Sequence, residues 1–274
     1  MKKIIILGGD ERQRKLSELL KRNKNEHDCA FCNKELSACG GLSGYSVLIL
    51  PLPCTRDGET LFSAENLLSL PLSFVAEEVA SGALVIGGNM PEAFCRRLSE
   101  RGASTLDYFK EESFTVYNAF LTAQGAVRLL LENTEEFLCG KRILVAGFGR
   151  IGRALSKMLS ALGADIYAAA RRKETLTEIA ALGYKAVDAA EIESSAFLFD
   201  FVFNTVPSRI FSEKSVSLMK SGAVYFELAS SPFGATKTDF ENAKVRYVSG
   251  SALPGRFCPL SCAEAVFSRI SEYI

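Results

Sequence analysis

The hexapeptide GFGRIG carries the clearest chemical signal in the sequence, with glycines at positions 147, 149 and 152. The apolar segment Ile143 to Ala146 comes directly before it, and an amphipathic segment follows it. In such a strand–turn–helix, the first glycine permits a tight turn, the second lets the backbone approach a pyrophosphate, and the third lets helix and strand pack. The helix N-terminus also offers free N–H groups to phosphate oxygens. We therefore predict a dinucleotide site formed by Gly147, Phe148, Gly149, Arg150, Ile151 and Gly152.

Two arginines stand at the end of the next predicted strand, in the stretch DIYAAARRKET. Dinucleotide folds commonly place a carboxylate there, about 20 residues after the glycine motif, where it bonds the adenine ribose. Arg171 lies 19 residues after Gly152. A carboxylate repels a 2′-phosphate, whereas the planar fork of arginine pairs with phosphate oxygens. Arg171 and Arg172 therefore predict NADP rather than NAD, and the alternative is a solvated start to a helix at Thr175.

Two later strand ends are candidates for the same crevice, because open parallel sheets bind ligands at the carboxyl ends of their strands. The apolar segment FVFNTVPS ends in four residues that we expect beside the nicotinamide half of the cofactor: Asn204, Thr205, Val206 and Pro207. The segment YFELASSPFG is the fifth predicted strand, with Glu227, Ser230 and Ser231 at its carboxyl end. These three residues are candidate pocket residues or ordinary polar groups at a strand end.

Strands alternate with helices around these motifs. The run YSVLILPLP is typical of a buried parallel strand. We predict an α/β protein with two doubly wound parallel-sheet, Rossmann-like domains joined by a long helix. Residues 1–117 form the predicted substrate or partner domain, and residues 118–259 form the bridging helix and the NADP-binding domain. A C-terminal helix over 260–274 is expected to pack back on the first domain or on the bridge.

The composition does not point to nucleic acid or a membrane. The 32 basic and 32 acidic residues balance, and no segment approaches the roughly 18 apolar residues of a membrane span. The opening MKKIIILGGD has an apolar run too short for a signal peptide, so we expect a cytoplasmic protein. Eight cysteines include a C-x-x-C at Cys29 and Cys32, but no second pair follows, which favours buried or incidental thiols over a metal site.

A resemblance to a known family rests on the segments GGDERQ, LPLP with the loop TRDG, YNAFLTAQGAV, NTVPS, ELASSPFG and ALPG. Together they resemble the A subunit of dipicolinate synthase over nearly the whole chain. The resemblance implies NADP-dependent oxidation and dehydration of 4-hydroxy-tetrahydrodipicolinate to dipicolinate, in the mother-cell cytoplasm of a sporulating bacterium. It also implies a small cyclic dicarboxylate as substrate and, as partner, a flavoprotein that forms the B subunit of the synthase. Assembly into a homo-oligomer is left open.

A substrate with two carboxylates needs arginines or hydrogen-bond donors around it. Four arginines follow predicted strand ends: Arg12, Arg56, Arg209 and Arg256. The candidate catalytic residues are Asp10, Arg12 and Asn118. The candidate substrate-binding residues are Thr55, Arg56, Thr122, Ser230, Ser231 and Arg256. A solvated or capping role is the alternative for each, above all for Asp10, which is a natural helix N-cap.

Two other functions stay open. An NADP-dependent 2-hydroxyacid or amino-acid dehydrogenase would share the two-domain plan. Hydroxyacid dehydrogenases commonly use a histidine base, however, and the single histidine, His27, follows the charged stretch KRNKNE. A non-catalytic nucleotide-binding scaffold is the second alternative, because the sequence contains no compelling acid–base constellation. Reduction of NADP by the isolated chain would separate an enzyme from a scaffold.

Overall fold

A computed structural model of the protein describes residues 2–274. The chain forms two compact units. The first contains the residues up to Asn118 together with Cys258–Ile274, and the second contains Ala119–Phe257.

The first unit is built on a five-stranded parallel sheet with the strand order β2-β1-β3-β4-β5. Its strands are β1 (Ile4–Leu7), β2 (His27–Ala30), β3 (Val47–Ile49), β4 (Leu84–Gly87) and β5 (Ser104–Asp107). The helices that follow them are α1 (Glu11–Arg22), α2 (Asn33–Ala38), α3 (Leu72–Glu78), α4 (Glu92–Glu100) and the first part of α5 (Glu112–Glu132).

The second unit is built on a six-stranded parallel sheet with the order β11-β10-β9-β6-β7-β8. Its strands are β6 (Arg142–Ala146), β7 (Asp165–Ala170), β8 (Lys185–Asp188), β9 (Phe201–Asn204), β10 (Val224–Glu227) and β11 (Arg246–Ser249). Its helices, after the remainder of α5, are α6 (Arg150–Ala161), α7 (Lys173–Ala181), α8 (Ile192–Ser195), α9 (Glu213–Ser217) and α10 (Leu253–Phe257). The strand order reverses between β6 and β9, and open sheets bind ligands at such a point.

The core of each unit lies on both faces of its sheet. In β1, Ile5 and Leu7 belong to one buried cluster while Ile4 and Ile6 belong to another, because successive side chains of a strand point to opposite faces. The sheet of the second unit likewise separates two buried clusters. Both sheets are wholly parallel and covered on two sides, which confirms the predicted Rossmann-like α/β class.

The C-terminal helix α11 (Pro259–Ile270) packs against α1. Its buried side chains Ala263, Val266 and Ile270 join the cluster that contains Leu16 and Leu20 of α1. The helix therefore completes one face of the first sheet, although it comes at the end of the sequence. It ends at Ile270, four residues before the end of the predicted range 260–274.

Two other helices begin earlier than the sequence pattern predicts. The long helix α5 begins at Glu112 rather than near residue 118, and α7 begins at Lys173 rather than at Thr175. Within residues 2–274, none of the helices combines the length and the apolar character that a bilayer crossing requires. The same residues contain no group of three or more His, Cys, Asp or Glu side chains able to hold a metal ion.

Candidate functional site

The glycine loop after β6 is closed by contacts inside the second unit. Gly147 has a φ of +95°, and a Cβ atom there would lie 2.4 Å from Thr205 Oγ1. A Cβ atom on Gly152 would lie 2.0 Å from the carbonyl oxygen of Gly147. Both glycines are therefore required by the fold, the first by its left-handed backbone and both by close approach.

Gly149, between them, is different. It is the N-cap of α6, and apart from its neighbours along the chain no atom of the described residues would lie within 4 Å of a Cβ atom there. Its φ of −82° is available to every L-amino acid. The described part of the chain thus gives no steric reason for glycine at this position. A ligand that approaches the backbone would give one, and the pyrophosphate of a dinucleotide does so at this point of the motif.

The other residues of the hexapeptide divide between core and surface. The Phe148 side chain is buried against Ala168 and Ile179, so only its backbone faces the loop. Ile151 packs on the core of the unit. Arg150 is exposed at the first position of α6. Any contact of Phe148 with a cofactor would therefore go through its N–H group.

Arg171 and Arg172 follow the last residue of β7 directly, and both are exposed. Among residues 2–274, neither has a carboxylate within ion-pair distance. The acid on the adjoining helix, Glu178, is held by Arg153 through two hydrogen bonds of 2.8 and 2.7 Å. The guanidinium groups at the end of β7 therefore remain available for an external anion.

The end of β9 is fixed against the glycine loop. Thr205 donates its backbone N–H and its hydroxyl to the carbonyl oxygen of Ala146, each at 2.9 Å. Asn204 is completely buried, and its side chain accepts from Val206 N and donates to Val206 O. Of the four residues predicted here, Asn204 thus has its amide turned into the protein. Its side chain can support the cofactor site only by shaping the loop.

Glu227, at the end of β10, is with Ser230 and Ser231 a candidate pocket residue or an ordinary polar group at a strand end. It is buried, and its carboxylate accepts five hydrogen bonds: from Asn204 Nδ2, Tyr225 OH and the backbone N–H groups of Ala229, Gly234 and Ala235. Burial raises the pKa of Glu227, and the hydrogen bonds oppose that rise. No local pattern in the sequence identifies this network.

The remaining candidates in the second unit are exposed. Ser230 and Ser231 lie in the exposed loop after β10. Arg256, in α10, places its guanidinium 5.0 Å from the centre of the Phe257 ring. Arg209 forms an ion pair with Asp239 at 2.5 Å. Of these two arginines, Arg256 is the better candidate for a carboxylate, because Arg209 already has one.

In the first unit, Asp10 and Arg12 form a closed pair at the start of α1. Asp10 is the N-cap and accepts from Arg12 N at 3.0 Å, Nε at 2.8 Å and Nη2 at 2.7 Å. Burial of Arg12 would lower its pKa, but the hydrogen bonds to Asp10 prevail and hold it above its ordinary value. Asp10 thus caps α1 and is bonded to Arg12. If either residue has a catalytic role, it acts as a member of this hydrogen-bonded pair.

The loop after β3 reaches the same edge of the sheet. Gly9 N donates to Phe62 O at 2.7 Å, which joins this loop to the glycines after β1. Arg56 stacks on the Phe62 ring, with its guanidinium carbon 4.1 Å from the ring centre. Its exposed guanidinium has no carboxylate partner among the residues that the structure describes. Arg56 is therefore placed to receive a carboxylate at the carboxyl edge of the first sheet.

Thr55 has a structural contact in the same loop. Its hydroxyl donates to Asp57 Oδ1 at 2.8 Å and accepts from Gly58 N at 3.0 Å. Asp57 also accepts from Glu59 N and Thr60 N, and these bonds lower its pKa. The expected turn at TRDGE is present, and the Thr55 hydroxyl helps to build it.

The two candidates on α5 lie four residues apart, as the sequence requires. Asn118 is half-buried and Thr122 is buried, and each has interactions within the protein. His27 lies elsewhere, at the first residue of β2, with its ring nitrogens 2.8 Å from Ser17 Oγ and 2.9 Å from Asn25 O. Because strands of a parallel sheet share one direction, His27 is at the opposite edge from Asp10 and Arg56.

Comparison with known proteins gives matches along the chain. Residues 3–109 match the family described as the N-terminal domain of the A subunit of dipicolinate synthase. Residues 131–233 match the D-isomer specific 2-hydroxyacid dehydrogenase, NAD binding domain. The A subunit of dipicolinate synthase from Bacillus subtilis (strain 168) is 26% identical over 293 residues, covering 99% of this chain and 95% of that protein.

The resemblance to the A subunit of dipicolinate synthase is confirmed.

Solved structures agree in fold. The A subunit of dipicolinate synthase from Bacillus halodurans has a TM-score of 0.82 at 19% identity, over 99% of this chain and 97% of that one. The corresponding structure from Bacillus subtilis has a TM-score of 0.79 at 20% identity, over 99% and 95%. With the family matches, the findings support an oxidoreductase with a nicotinamide dinucleotide site in the second unit.

Proposed function

We propose that this protein is the NADP-dependent dehydrogenase component of a dipicolinate synthase. It would oxidise and dehydrate 4-hydroxy-tetrahydrodipicolinate to dipicolinate in the cytoplasm of a sporulating cell, together with the flavoprotein that forms the B subunit of the synthase. The observation that carries the cofactor part is that the space at Gly149 is open and that Arg171 and Arg172, at the end of β7, have no ion-pair partner among the described residues. The substrate and partner parts rest on the resemblance over 99% of the chain.

NADP is favoured over NAD because of charge. Arg171 and Arg172 can form bidentate hydrogen bonds with a 2′-phosphate, which NAD does not have. The loop from Gly147 to Gly152 and the N-terminus of α6 would hold the pyrophosphate through N–H groups. When bound, NADP supplies the hydride acceptor; the protein's residues bind it and position the C–H bond against it.

The reaction balances with that acceptor. The substrate loses one water molecule and two hydrogen atoms, of which one leaves as hydride to the cofactor and the other as a proton to solvent. The product is an aromatic pyridine ring, so aromatisation supplies driving force. The protein must hold two carboxylates, and Arg56 is a candidate to bind one of them, because it is exposed and lacks a carboxylate partner among the described residues.

The proposal is tested by giving the purified chain freshly made hydroxy-tetrahydrodipicolinate with NADP and, separately, with NAD. Each reaction is run with and without the candidate flavoprotein, and both reduced nicotinamide and dipicolinate are followed. Dipicolinate that forms together with reduced NADP supports the proposal. If NADP binds and neither product forms under any of these conditions, the proposed substrate is wrong, whereas the cofactor site stands.

A further inference from the structure

Glu227 connects two loops at the carboxyl edge of the second sheet. Its Oε1 atom accepts from Asn204 Nδ2 at 2.7 Å and from Ala229 N at 3.1 Å. Its Oε2 atom accepts from Gly234 N at 3.0 Å, and also from Tyr225 OH and Ala235 N. The Asn204 side chain in turn donates to the carbonyl oxygen of Val206 and accepts from its N–H group. One side chain thus fixes the loop after β9 and the loop after β10.

We infer that Glu227 is a positioning residue for the nicotinamide half of the cofactor site, acting through the loops that follow β9 and β10. This inference rests on the proposed cofactor site and does not depend on the proposed substrate. Glu227 would thus support the nicotinamide half of the dinucleotide from a buried position, without contacting the cofactor.

The location of these loops within the sheet points to the nicotinamide half. Strand β6 carries the pyrophosphate loop, and its neighbours are β7 on one side and β9 on the other. The end of β7 carries Arg171, the candidate contact for the adenosine 2′-phosphate. A dinucleotide that crosses the end of β6 therefore extends its nicotinamide toward β9 and β10, where Glu227 holds the loops.

The loop after β10 also approaches Asn204 closely. A Cβ atom on Gly234 would lie 2.3 Å from Asn204 Nδ2. All five partners of the carboxylate donate hydrogen bonds to it. An N–H group in place of either oxygen would therefore face other donors. A neutral isostere would therefore set donors against donors and displace the loops.

The test is Glu227→Gln, which keeps the side-chain volume. Whichever way its amide is turned, the NH₂ group faces at least two donors. The ligands are NADP and 2′-phospho-ADP-ribose, which lacks the nicotinamide, and their affinities are measured by calorimetry. We expect E227Q to bind NADP about tenfold more weakly, a difference of about 1.4 kcal/mol, and 2′-phospho-ADP-ribose within about twofold of wild type.

Tyr225→Phe is the matched control. It removes one of the five donors while leaving the bonds to both loops intact, so both affinities should stay within about twofold of wild type. If E227Q does not fold, as judged by its thermal unfolding, Asn204→Ala replaces it. That variant cuts the link between Glu227 and Val206 from the other side and should show the same selective loss for NADP.

Two results would overturn the inference alone. Equal weakening of both ligands would show that Glu227 has only a structural role, and unchanged affinities for both ligands would show that its loops do not reach the nicotinamide. If the wild-type chain binds neither ligand, the proposed cofactor site fails, and this inference fails with it.

Discussion

Gly149 and Gly152 belong to the same motif, but the structure gives them opposite roles, and alanine substitutions should separate these. At Gly152 a methyl group would lie 2.0 Å from a backbone oxygen that cannot move aside cheaply. Overpacking of this kind costs about 1–3 kcal/mol or more. In a protein of this size such a loss lowers the Tm by roughly 3–10 °C.

At Gly149 the same methyl group would have no described atom within 4 Å beyond its neighbours along the chain. Alanine is a poorer N-cap than glycine, with a cost of up to about 1 kcal/mol. Against this, alanine lowers the entropy of the unfolded chain, which stabilises by about 0.4–1 kcal/mol. These contributions nearly cancel, so G149A should unfold within a few degrees of wild type.

Cofactor binding should respond differently. A methyl group at Gly149 keeps the pyrophosphate from the N–H groups of the loop, and a hydrogen bond to a charged group contributes about 1.5–3 kcal/mol. We expect G149A to bind NADP roughly 10- to 100-fold more weakly. Thermal unfolding and calorimetric titration with NADP measure the two effects. If G149A binds like wild type, or loses as much stability as G152A, the assigned role of Gly149 is wrong.

One double and two single substitutions test other charges of the protein. Replacing Arg171 and Arg172 by Ala should lower the affinity for NADP roughly 10- to 100-fold and leave the affinity for NAD within about twofold of wild type, as measured by parallel titrations. An equal loss of affinity for both cofactors would show that these arginines do not contact the 2′-phosphate. Arg56→Ala should raise the KM for the cyclic dicarboxylate roughly tenfold or more, with R56K intermediate, and an unchanged KM would contradict a carboxylate contact. Arg153→Ala should flatten the acid dependence of stability. In wild type the hydrogen bond from Arg153 lowers the pKa of Glu178 below 4.5, so the pair stabilises the folded protein above pH 4.5 and this stabilisation is lost as pH falls through the pKa of the folded state. The stability of the two proteins is compared by unfolding at pH 7 and at pH 4. An equal loss of stability between these pH values in both proteins would exclude the pair as a contributor.

The parts of the fold that the sequence predicted are those encoded locally. Continuous apolar runs such as Ile4–Leu7 indicate strands buried on both faces, and a glycine motif between a strand and a helix indicates a phosphate loop. The position of Arg171 could be predicted for the same reason, since it follows β7 directly. Each of these signals needs only its neighbours along the chain.

The parts that the sequence did not predict depend on distant partners. Asn204 was expected to face the cofactor, but its side chain is held by Glu227, 23 residues away, because the register of β9 and β10 places them side by side. Arg209 followed a strand end in the same way as Arg56, but it pairs with Asp239, 30 residues away. Two arginines at equivalent positions in the sequence thus differ: the Arg209 guanidinium already has a carboxylate partner, whereas the Arg56 guanidinium has none among the described residues.

The distribution of titratable groups bears on which reaction the chain can catalyse. An alcohol oxidation of the hydroxyacid type commonly uses a histidine base, and the single histidine here lies at the amino edge of the first sheet with both ring nitrogens engaged. Burial raises the pKa of Cys54 and of Cys262 to about 12, so these thiols stay neutral at pH 7. Asp10 accepts three hydrogen bonds from Arg12.

A reaction whose product is aromatic depends less on a strong base, because formation of the ring supplies driving force once the C–H bond is held against the hydride acceptor. The site then needs rigid loops, anion contacts for the cofactor and for two carboxylates, and little acid–base chemistry of its own. The described residues offer these features: a fixed glycine loop, unpaired arginines at strand-end loops, and a buried carboxylate that ties two loops together. These features agree with the proposed aromatising dehydrogenation better than with a histidine-dependent hydroxyacid oxidation. A pH profile of NADP reduction without an inflection near the ordinary histidine pKa of about 6.5 would support the proposal.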